Sequence, residues 1–365
     1  MLLAAQAACA QDVRIGVLGL FRPHAVTLKA APGQALFIQT KTIQTKTIQT
    51  NLAPADKSFV LERSSGSDTA EITVSGGDLI LHTGKQSFRI SELRASSRGN
   101  GVADFVLAIP GKISRCYHGV LELKAVAGIL VPVVQMELET AVASVVQAES
   151  APDTLLEALQ AQAVATRSYF IASRERHHDF DFCDTTHCQF LREPPPPESN
   201  ASRAAVATRG LVLAYQDHAV AAMFTRSCGG RTRTPQEVGL SSDAYPYFSA
   251  VCEYCLRHPA HWVRHLAQAD AAYMDLREPG EASRLNIGRR LGWDAVPSNN
   301  FTARSDAKGV VLEGTGQGHG IGLCQAGAKA MAQSGAGFRE ILAHYYANTV
   351  LVNLPFGRSA VLALH

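Results

Sequence analysis

Charge is scarce in this 365-residue chain: charged residues make up 18%, and 34 Lys and Arg against 32 Asp and Glu leave a formal net charge of +2. That balance draws no polyanion, and no basic tract interleaved with aromatics is present, so nucleic acid is not an expected partner. A neutral glycan suits it at least as well. Long apolar runs are missing too. No stretch reaches the roughly 18 uninterrupted apolar residues of a spanning helix, the run from Gly128 to Val134 being too short, so no transmembrane helix is expected. The glycine-rich GTGQGHGIG is not followed by Gly-Lys-Ser/Thr, which removes a phosphate-loop reading. What the chain does have is 46% hydrophobic content, over a length able to bury a large core and fill two domains.

The start, MLLAAQAACAQDVRIG, carries a short apolar run and an A-x-A site at Ala8 to Ala10, like the end of a secretory signal peptide. It lacks the Lys or Arg that normally precedes such a run. The expectation is a signal remnant over residues 1–10 of an exported protein, with a bare apolar leader as the alternative. Eight cysteines then suggest disulfides, metal ligation or both.

From Asp12 to about Leu123, short strand-like segments (VRIGVLGL, AVTLKA, ALFIQT, AEITV, LILHT, VADFVLAIP) alternate with Gly, Pro, Ser and Asp clusters. This predicts a β-rich region over 11–123, followed by a mixed helical and strand domain over 124–365, α+β overall. The five-residue repeat in QTKTIQTKTIQT, Gln39 to Thr50, cannot keep one strand face apolar and reads as an exposed expansion or hairpin tip. Four prolines at Pro194 to Pro197 predict a stiff surface loop, and LVLAY with AVAAMFT predicts a hairpin turning at Gln216 to His218.

The most informative stretch is Glu149 to Ser168. Leu138, Val142, Val145 and Glu149 fall on one helical row, so a carboxylate ends an apolar stripe. Pro152 breaks the chain, and Thr154 with Glu157 spells a capping box opening a second, Ala- and Gln-rich helix to about Phe170. Gln160, Ala163, Val164 and Arg167 share one side of it, so a helix–kink–helix would bring Glu149 and Arg167 to a common cleft. By residue type alone, Glu149 is a solvated helix-end glutamate and Arg167 a surface ion-pair partner.

The stretch E-x7-EALQAQAVATRSY closely resembles the signature of the SpoIID/LytB family, the stage II sporulation protein D group of peptidoglycan lytic transglycosylases. Further pieces resemble it in the same order: CDTTHCQ from Cys183, ATRGLVLAY around Thr208, SCGGRT from Ser227, and GHGIGLCQAGAKAMA with EILAHYY near the end. The resemblance covers about the last two-thirds of the chain. It implies a SpoIID-like catalytic domain that cleaves MurNAc–GlcNAc bonds in denuded glycan strands, leaving 1,6-anhydro ends, with an amidase working alongside. Glu149 falls at the family's acid position. At the end of an apolar stripe its carboxyl would be desolvated and its pKa raised. Arg167, with Ser168 in place of the family's Thr, is expected to contact the substrate or transition state, or to fix the Glu149 loop.

His177, Cys183, His187 and Cys188 form a compact His/Cys cluster suited to structural zinc, with His178 competing for the fourth place. The resemblance implies such a zinc in some members, and a Cys183–Cys188 disulfide is the alternative. Ser227, Gly229, Gly230 and Thr232 match S-x-GG-x-T, while His319 and Gln325 belong to GHG-x-G-x-x-Q; both are expected to bind glycan. A tight turn and a satisfied core histidine are the plain alternatives. For Cys252-x-x-Cys255 a disulfide, a reduced pair and a metal site all stay open. A non-catalytic wall-binding protein or amidase activator is the rival reading, and a cysteine peptidase using Cys324 or Cys188 a third.

Overall fold

The structure, a computed structural model, describes residues 11–42, 57–62, 68–84, 86–241, 245–274 and 280–354. The leader over 1–10 and residues 43–50 of the repeat lie outside the described residues; Gln39 to Thr42 belong to a strand. The fold is α+β, in two compact units.

The first unit, residues 1–149 and 174–197, holds β1 (Asp12–Gly16), β2 (Ala25–Ala30), β3 (Leu36–Thr42), β4 (Lys57–Leu61), β5 (Thr69–Ser75), β6 (Asp78–Thr83), β7 (Gln86–Ser96), β8 (Ala103–Ile109), β9 (Ile113–Val126), β10 (Ile129–Glu137), α1 (Leu138–Glu149) and β11 (Phe182–Cys183). Long β9 pairs with β8 along its first half and with β7 along its second. The series β8–β2–β5–β6–β7 therefore closes on itself as a barrel. Alternation does the sorting: in β8, Ala103, Phe105, Leu107 and Ile109 are buried while the residues between them are not. Phe105, Leu107, Leu28, Ile72, Leu81 and Leu121 are among the fully enclosed core residues.

On its other edge β9 pairs with β10 through a two-residue turn, Ala127 and Gly128, both left-handed at φ 49° and 77° as a tight hairpin of this twist demands. β1 adds to β10, and α1 packs on both strands. The compact units therefore do not divide at 123/124, the boundary read from the sequence. The hairpin across that point is one continuous sheet, so β10 and α1 stay with the barrel, and 174–197 returns to it through β11 on β1.

The second unit, residues 150–173 and 198–365, holds α2 (Leu156–Ala172), α3 (Asn200–Ala207), β12 (Leu211–Tyr215), β13 (His218–Ala219), β14 (Phe224–Thr225), α4 (Glu253–Arg257), β15 (His261–Ala267), α5 (Gln268–Ala271), α6 (Glu281–Leu291), β16 (Phe301–Asp306), β17 (Gly309–Thr315), β18 (Leu323–Cys324), α7 (Gln325–Gln333), α8 (Phe338–Tyr345) and β19 (Val350–Asn353). α2 is buried without a break from Ala158 to Phe170. Around it lie Leu213, Val220, Ile321, Leu323, Ile341, Leu342 and Tyr346. A second core fills the antiparallel sheet β15–β17–β16, with Trp262, Leu266, Ile287, Val310 and Leu312. The hairpin expected at Gln216 forms between β12 and β13, with Gln216 and Asp217 both at positive φ.

Gly119 sits on β9 opposite Ala103. A Cβ there would drive into the Gln135 carbonyl and stand 2.9 Å from Val134 Cγ1. Gly119→Ala should therefore destabilise the protein by about 1–3 kcal/mol, the usual cost of overpacking. Denaturant unfolding checks this, and an unchanged midpoint would remove the close approach from the account.

Candidate functional site

Glu149 is the last residue of α1, and the residues before it on the same row, Leu138, Val142 and Val145, are all buried. The carboxylate residue itself is half-buried. Its neighbour Ser150 opens the second unit. The Ser150 hydroxyl donates to Gln162 Oε1 at 3.0 Å, and Gln325 Nε2 donates to the same oxygen at 3.3 Å. Gln162 is 2% exposed, and its Nε2 has no hydrogen-bond partner among the described residues; Gln160 Oε1 likewise lacks one. The residue next to Glu149 is thus bonded into an amide network reaching the last motif.

The expected capping box at Thr154 and Glu157 is not formed. α2 starts at Leu156, preceded by extended Leu155 with no side-chain cap. Glu157 Oε2 accepts the Phe338 N–H at 2.9 Å at the start of α8, where Glu340 accepts the Gly337 N–H at 2.9 Å. The carboxylate is drawn to the free amides of a distant helix in place of those of its own.

Arg167 has 0% exposure. Its guanidinium donates to the Leu211 carbonyl at 3.0 Å and the Ala205 carbonyl at 3.1 Å, with Thr208 Oγ1 at 3.5 Å. A group so enclosed offers a sugar no surface; it fastens α2 to the turn between α3 and β12. Ser168 works beside it: its hydroxyl donates to Val164 O at 2.6 Å and accepts the Leu213 N–H at 2.8 Å.

In the same unit, the SCGGRT turn and the Gly-His-Gly loop are stitched together by backbone bridges from Ser227 to Gln317 and from Arg233 to Ile321. Ser227 N–H donates to Gln317 O at 3.0 Å, and Arg233 N–H to Gly320 O at 2.8 Å. The two motifs, some ninety positions apart, thus lie side by side, and the Thr225 hydroxyl, just before the first, donates to Gln317 O and accepts the Gly320 N–H. Its members play unequal parts. Thr232 is 1% exposed and its hydroxyl accepts the Ala250 N–H at 2.8 Å. Gly229, at φ +75°, is required by its own fold, since a Cβ there would lie 2.8 Å from both Asn300 Nδ2 and Thr315 Oγ1. Gly230, at φ +125°, faces Leu256. Arg231 is committed to Glu237, whose carboxyl it holds down to about 2.

His319 Nδ1 accepts the Ile321 N–H at 3.0 Å, and the ring also bonds the Phe224 backbone. Burial holds the imidazole below its ordinary value, against the pull of Glu281 and with the repulsion of Arg284. Those two form an enclosed pair, Arg284 Nε lying 2.7 Å from Glu281 Oε2, which also accepts from Asn299 Nδ2 at 2.7 Å. His319 is accordingly a neutral ring bonding the loop together. Arg233, half-buried, lies against Gly320 and donates to Asn300 Oδ1. Neither Arg233 nor Gln162 was singled out from the sequence. The only signal for Arg233 was its place one residue beyond the S-x-GG-x-T match, and for Gln162 a polar residue in a helix otherwise fit for burial.

In the first unit, His177, Cys183, His187 and Cys188 do come together, their ligand atoms all within 4.8 Å of one another. His177 Nε2 lies 3.3 Å from Cys188 Sγ, and His187 Nδ1 is 3.6 Å and 3.8 Å from the sulfurs of Cys188 and Cys183. His178 is excluded: its side chain is 97% exposed and turned to Asp179. The two thiols are not joined. Cys183 is aligned by β11 on β1, and Gly16, its partner in register, leaves room for the Phe180 ring, 2.6 Å from where a Cβ would be. Beside it, buried Asp184 accepts from Leu18 N–H and Arg115, each at 3.0 Å, which locks the loop onto the barrel. Cys188 and Cys324 are both buried within sulfur clusters, so neither is placed as an exposed peptidase nucleophile.

The candidate residues thus fall in a β-barrel carrying a loop of two histidines and two cysteines, and in an α+β unit pairing an SCGGRT turn with a Gly-His-Gly loop. Residues 128–215 match the family model for SpoIID, stage II sporulation protein. An uncharacterized protein of Brachyspira hyodysenteriae is 29% identical over 268 residues, covering 65% of this chain and 72% of that protein. The stage II sporulation protein D of Bacillus amyloliquefaciens is 25% identical over 251 residues, 57% of this chain and 72% of its own length. The amidase enhancer of Bacillus subtilis is 25% identical over 276 residues, 54% of this chain but 38% of that protein. These matches bear out the resemblance carried by the motifs: residues 128–215 carry the SpoIID domain, the chain is similar to SpoIID/LytB proteins beyond it, and a cell-wall-related function goes with that similarity.

The half-buried His319, its pKa held below the ordinary value, has a measurable signature. Its folded pKa is depressed, so the unfolded chain binds the proton more readily; the stabilisation is present above the unfolded value of about 6.5 and is lost as pH falls below it. Between about pH 7 and pH 5, the native protein should lose more stability than His319→Gln does. Equal slopes in denaturant titrations would show that the ring is free to charge in the folded state.

Proposed function

We propose that the protein is a lytic transglycosylase of peptidoglycan glycan strands, with Glu149 as general acid and base. The protonated carboxyl gives its proton to the oxygen bridging MurNAc and GlcNAc as the bond from C1 to that oxygen breaks. The carboxylate so formed takes the proton of the same MurNAc's C6 hydroxyl as its oxygen bonds to C1. One glycosidic bond is exchanged for an intramolecular one between C1 and O6, no water is consumed, and the acid is regenerated. A second carboxylate nucleophile is not needed, in contrast to the usual retaining glycosidases.

The observation that carries this reading is the position of Glu149. It ends a buried helical row at the carbonyl end of α1, where the helix dipole disfavours a negative charge. The next residue is bonded through Gln162 to Gln325 of the last family motif. In this scheme Arg167 is a positioning residue for α2. Glycan contacts fall to the accessible members of the two motifs, Ser227, Gly229, His319 and Gln325, with Arg233 supplying a donor, while buried Gly230, Thr232 and Gln162 hold that surface in shape. Denuded strands are the preferred substrate, an amidase supplies them, and the protein works on the outer side of the cytoplasmic membrane.

The His177, Cys183, His187 and Cys188 cluster suits a zinc ion, two thiolates and two imidazoles being a common tetrahedral donor set. Four protein ligands leave no open position, so the metal's part is structural: it ties the 174–197 excursion into its loop against β1. A second reading is favoured by the amidase enhancer among the relatives: a protein that binds glycan and stimulates an amidase without cutting.

Glu149→Gln separates the two. The enzyme reading expects anhydro-ended products from denuded glycan, seen by mass spectrometry, to fall by about 10²–10⁴-fold with folding and glycan binding retained. Undiminished product formation in the variant would remove Glu149 from the chemistry, and binding without any such product from the native protein would favour the enhancer reading.

A further inference from the structure

A second sulfur cluster lies in the other unit. Cys228, Cys252, Cys255 and Cys324 come from three separate stretches and are 3%, 2%, 1% and 0% exposed. Their sulfurs all lie within 4.8 Å of one another, Cys255 Sγ and Cys324 Sγ being 3.6 Å apart. A disulfide requires about 2.0 Å. Zinc–sulfur bonds of about 2.3 Å in a tetrahedron space the sulfurs about 3.8 Å apart. A polynuclear iron–sulfur cluster binds its thiolates to different irons and so spreads them more widely. The spacing is that of a single ion.

We propose that Cys228, Cys252, Cys255 and Cys324 bind a second zinc ion in a closed, structural site of four thiolates.

The surroundings are those of metal-bound thiolates. Cys228 N–H and Gly327 N–H each donate to Cys324 Sγ at 3.4 Å, Tyr345 Oη donates to Cys252 Sγ at 3.6 Å, and Ser227 Oγ lies 3.5 Å from Cys255 Sγ. Donors of this kind favour charged sulfur and offset the net charge of −2 that zinc with four thiolates carries. Cys324 also caps the amino end of α7, whose dipole acts in the same sense. Cys252 and Cys255 flank the first turn of α4, the C-x-x-C bite common in zinc sites. Gly327 completes the cradle: a Cβ there would collide with the Tyr345 hydroxyl and stand 2.6 Å from Cys252 Sγ. Without an ion, four thiols would fill a dry core where their polarity brings little; with it they join three segments that sheet pairing alone connects weakly.

The ion's place gives it a consequence. Cys228 stands between Ser227 and Gly229, and Cys324 immediately before Gln325. The site therefore pins both motifs of the proposed glycan surface, although the metal assignment itself is independent of whether glycan is cut.

The test is metal content of the full chain purified under reducing conditions without chelator, together with a thiol count after denaturation. The native chain should carry two zinc ions, and H177A/C183S/C188S, which removes the other cluster, should keep one. Cobalt substituted into that variant should show intense thiolate-to-cobalt charge transfer with tetrahedral ligand-field bands, and adding C252S/C255S should abolish both metal and spectrum. The native stoichiometry and the first variant decide the matter even where the last does not fold. Fewer than two zinc ions in the native chain together with none in H177A/C183S/C188S would overturn the proposal. Iron in place of zinc, two disulfides in the thiol count, or zinc retained in the combined variant would also overturn it.

Discussion

A helix buried on every side can pair its polar groups only within the protein, and α2 is such a helix. From Ala158 to Phe170 nothing on it faces water, yet it carries Gln160, Gln162, Thr166, Arg167 and Ser168. An unpaired guanidinium in such a place would cost several kcal/mol or more. Arg167 escapes that cost by donating to the carbonyls of Ala205 and Leu211, and Ser168 by taking the Leu213 amide. These bonds fix the turn between α3 and β12 to the helix. Gln162 receives both Ser150 and Gln325. The packing of α3, β12 and α7 on α2 follows from pairing these groups, while Gln160 Oε1, Gln162 Nε2 and Thr166 Oγ1 have no partner among the described residues.

The barrel contributes a different constraint. β9 serves three neighbours, β8, β7 and β10, and its crossing is feasible because Gly119 has no side chain. β10 runs directly into α1, so the position of Glu149 is inherited from the barrel through a strand and a helix with no loop between them. The His/Cys cluster is anchored to the same sheet by β11 on β1. Sulfur sites thus occur in both units, each gathering a segment that hydrogen-bonded sheet holds only briefly: two residues in β11, two in β18.

Local patterns were legible in the sequence, and pairings between distant segments were not. Alternation located the barrel strands, the apolar row located α1, and the four His/Cys residues within twelve positions announced their cluster. The choice of His177 over His178 needed the neighbouring Asp179 and the packing of the His177 ring on Phe180. Glu157 looked like a cap for its own helix because the partner it caps, Phe338, is 181 residues away. The boundary at 123/124 fell inside a hairpin because a change in segment type does not mark where a sheet ends. Cys252-x-x-Cys255 stayed ambiguous for the same reason: Cys228 is brought to it by the bridge of Arg231 to Val251, and Cys324 is brought to the Cys228 turn by the pairing of β18 with β14.

The central claim is that one carboxyl, Glu149, exchanges a glycosidic bond for an intramolecular acetal without water. Digesting denuded glycan in water enriched in heavy oxygen tests this most directly, because the origin of the oxygen at the new MurNAc end is then read from its mass. The account predicts anhydro ends carrying no label. Reducing ends labelled with solvent oxygen would contradict it, since they would mean that water, and not the sugar's own hydroxyl, attacks C1.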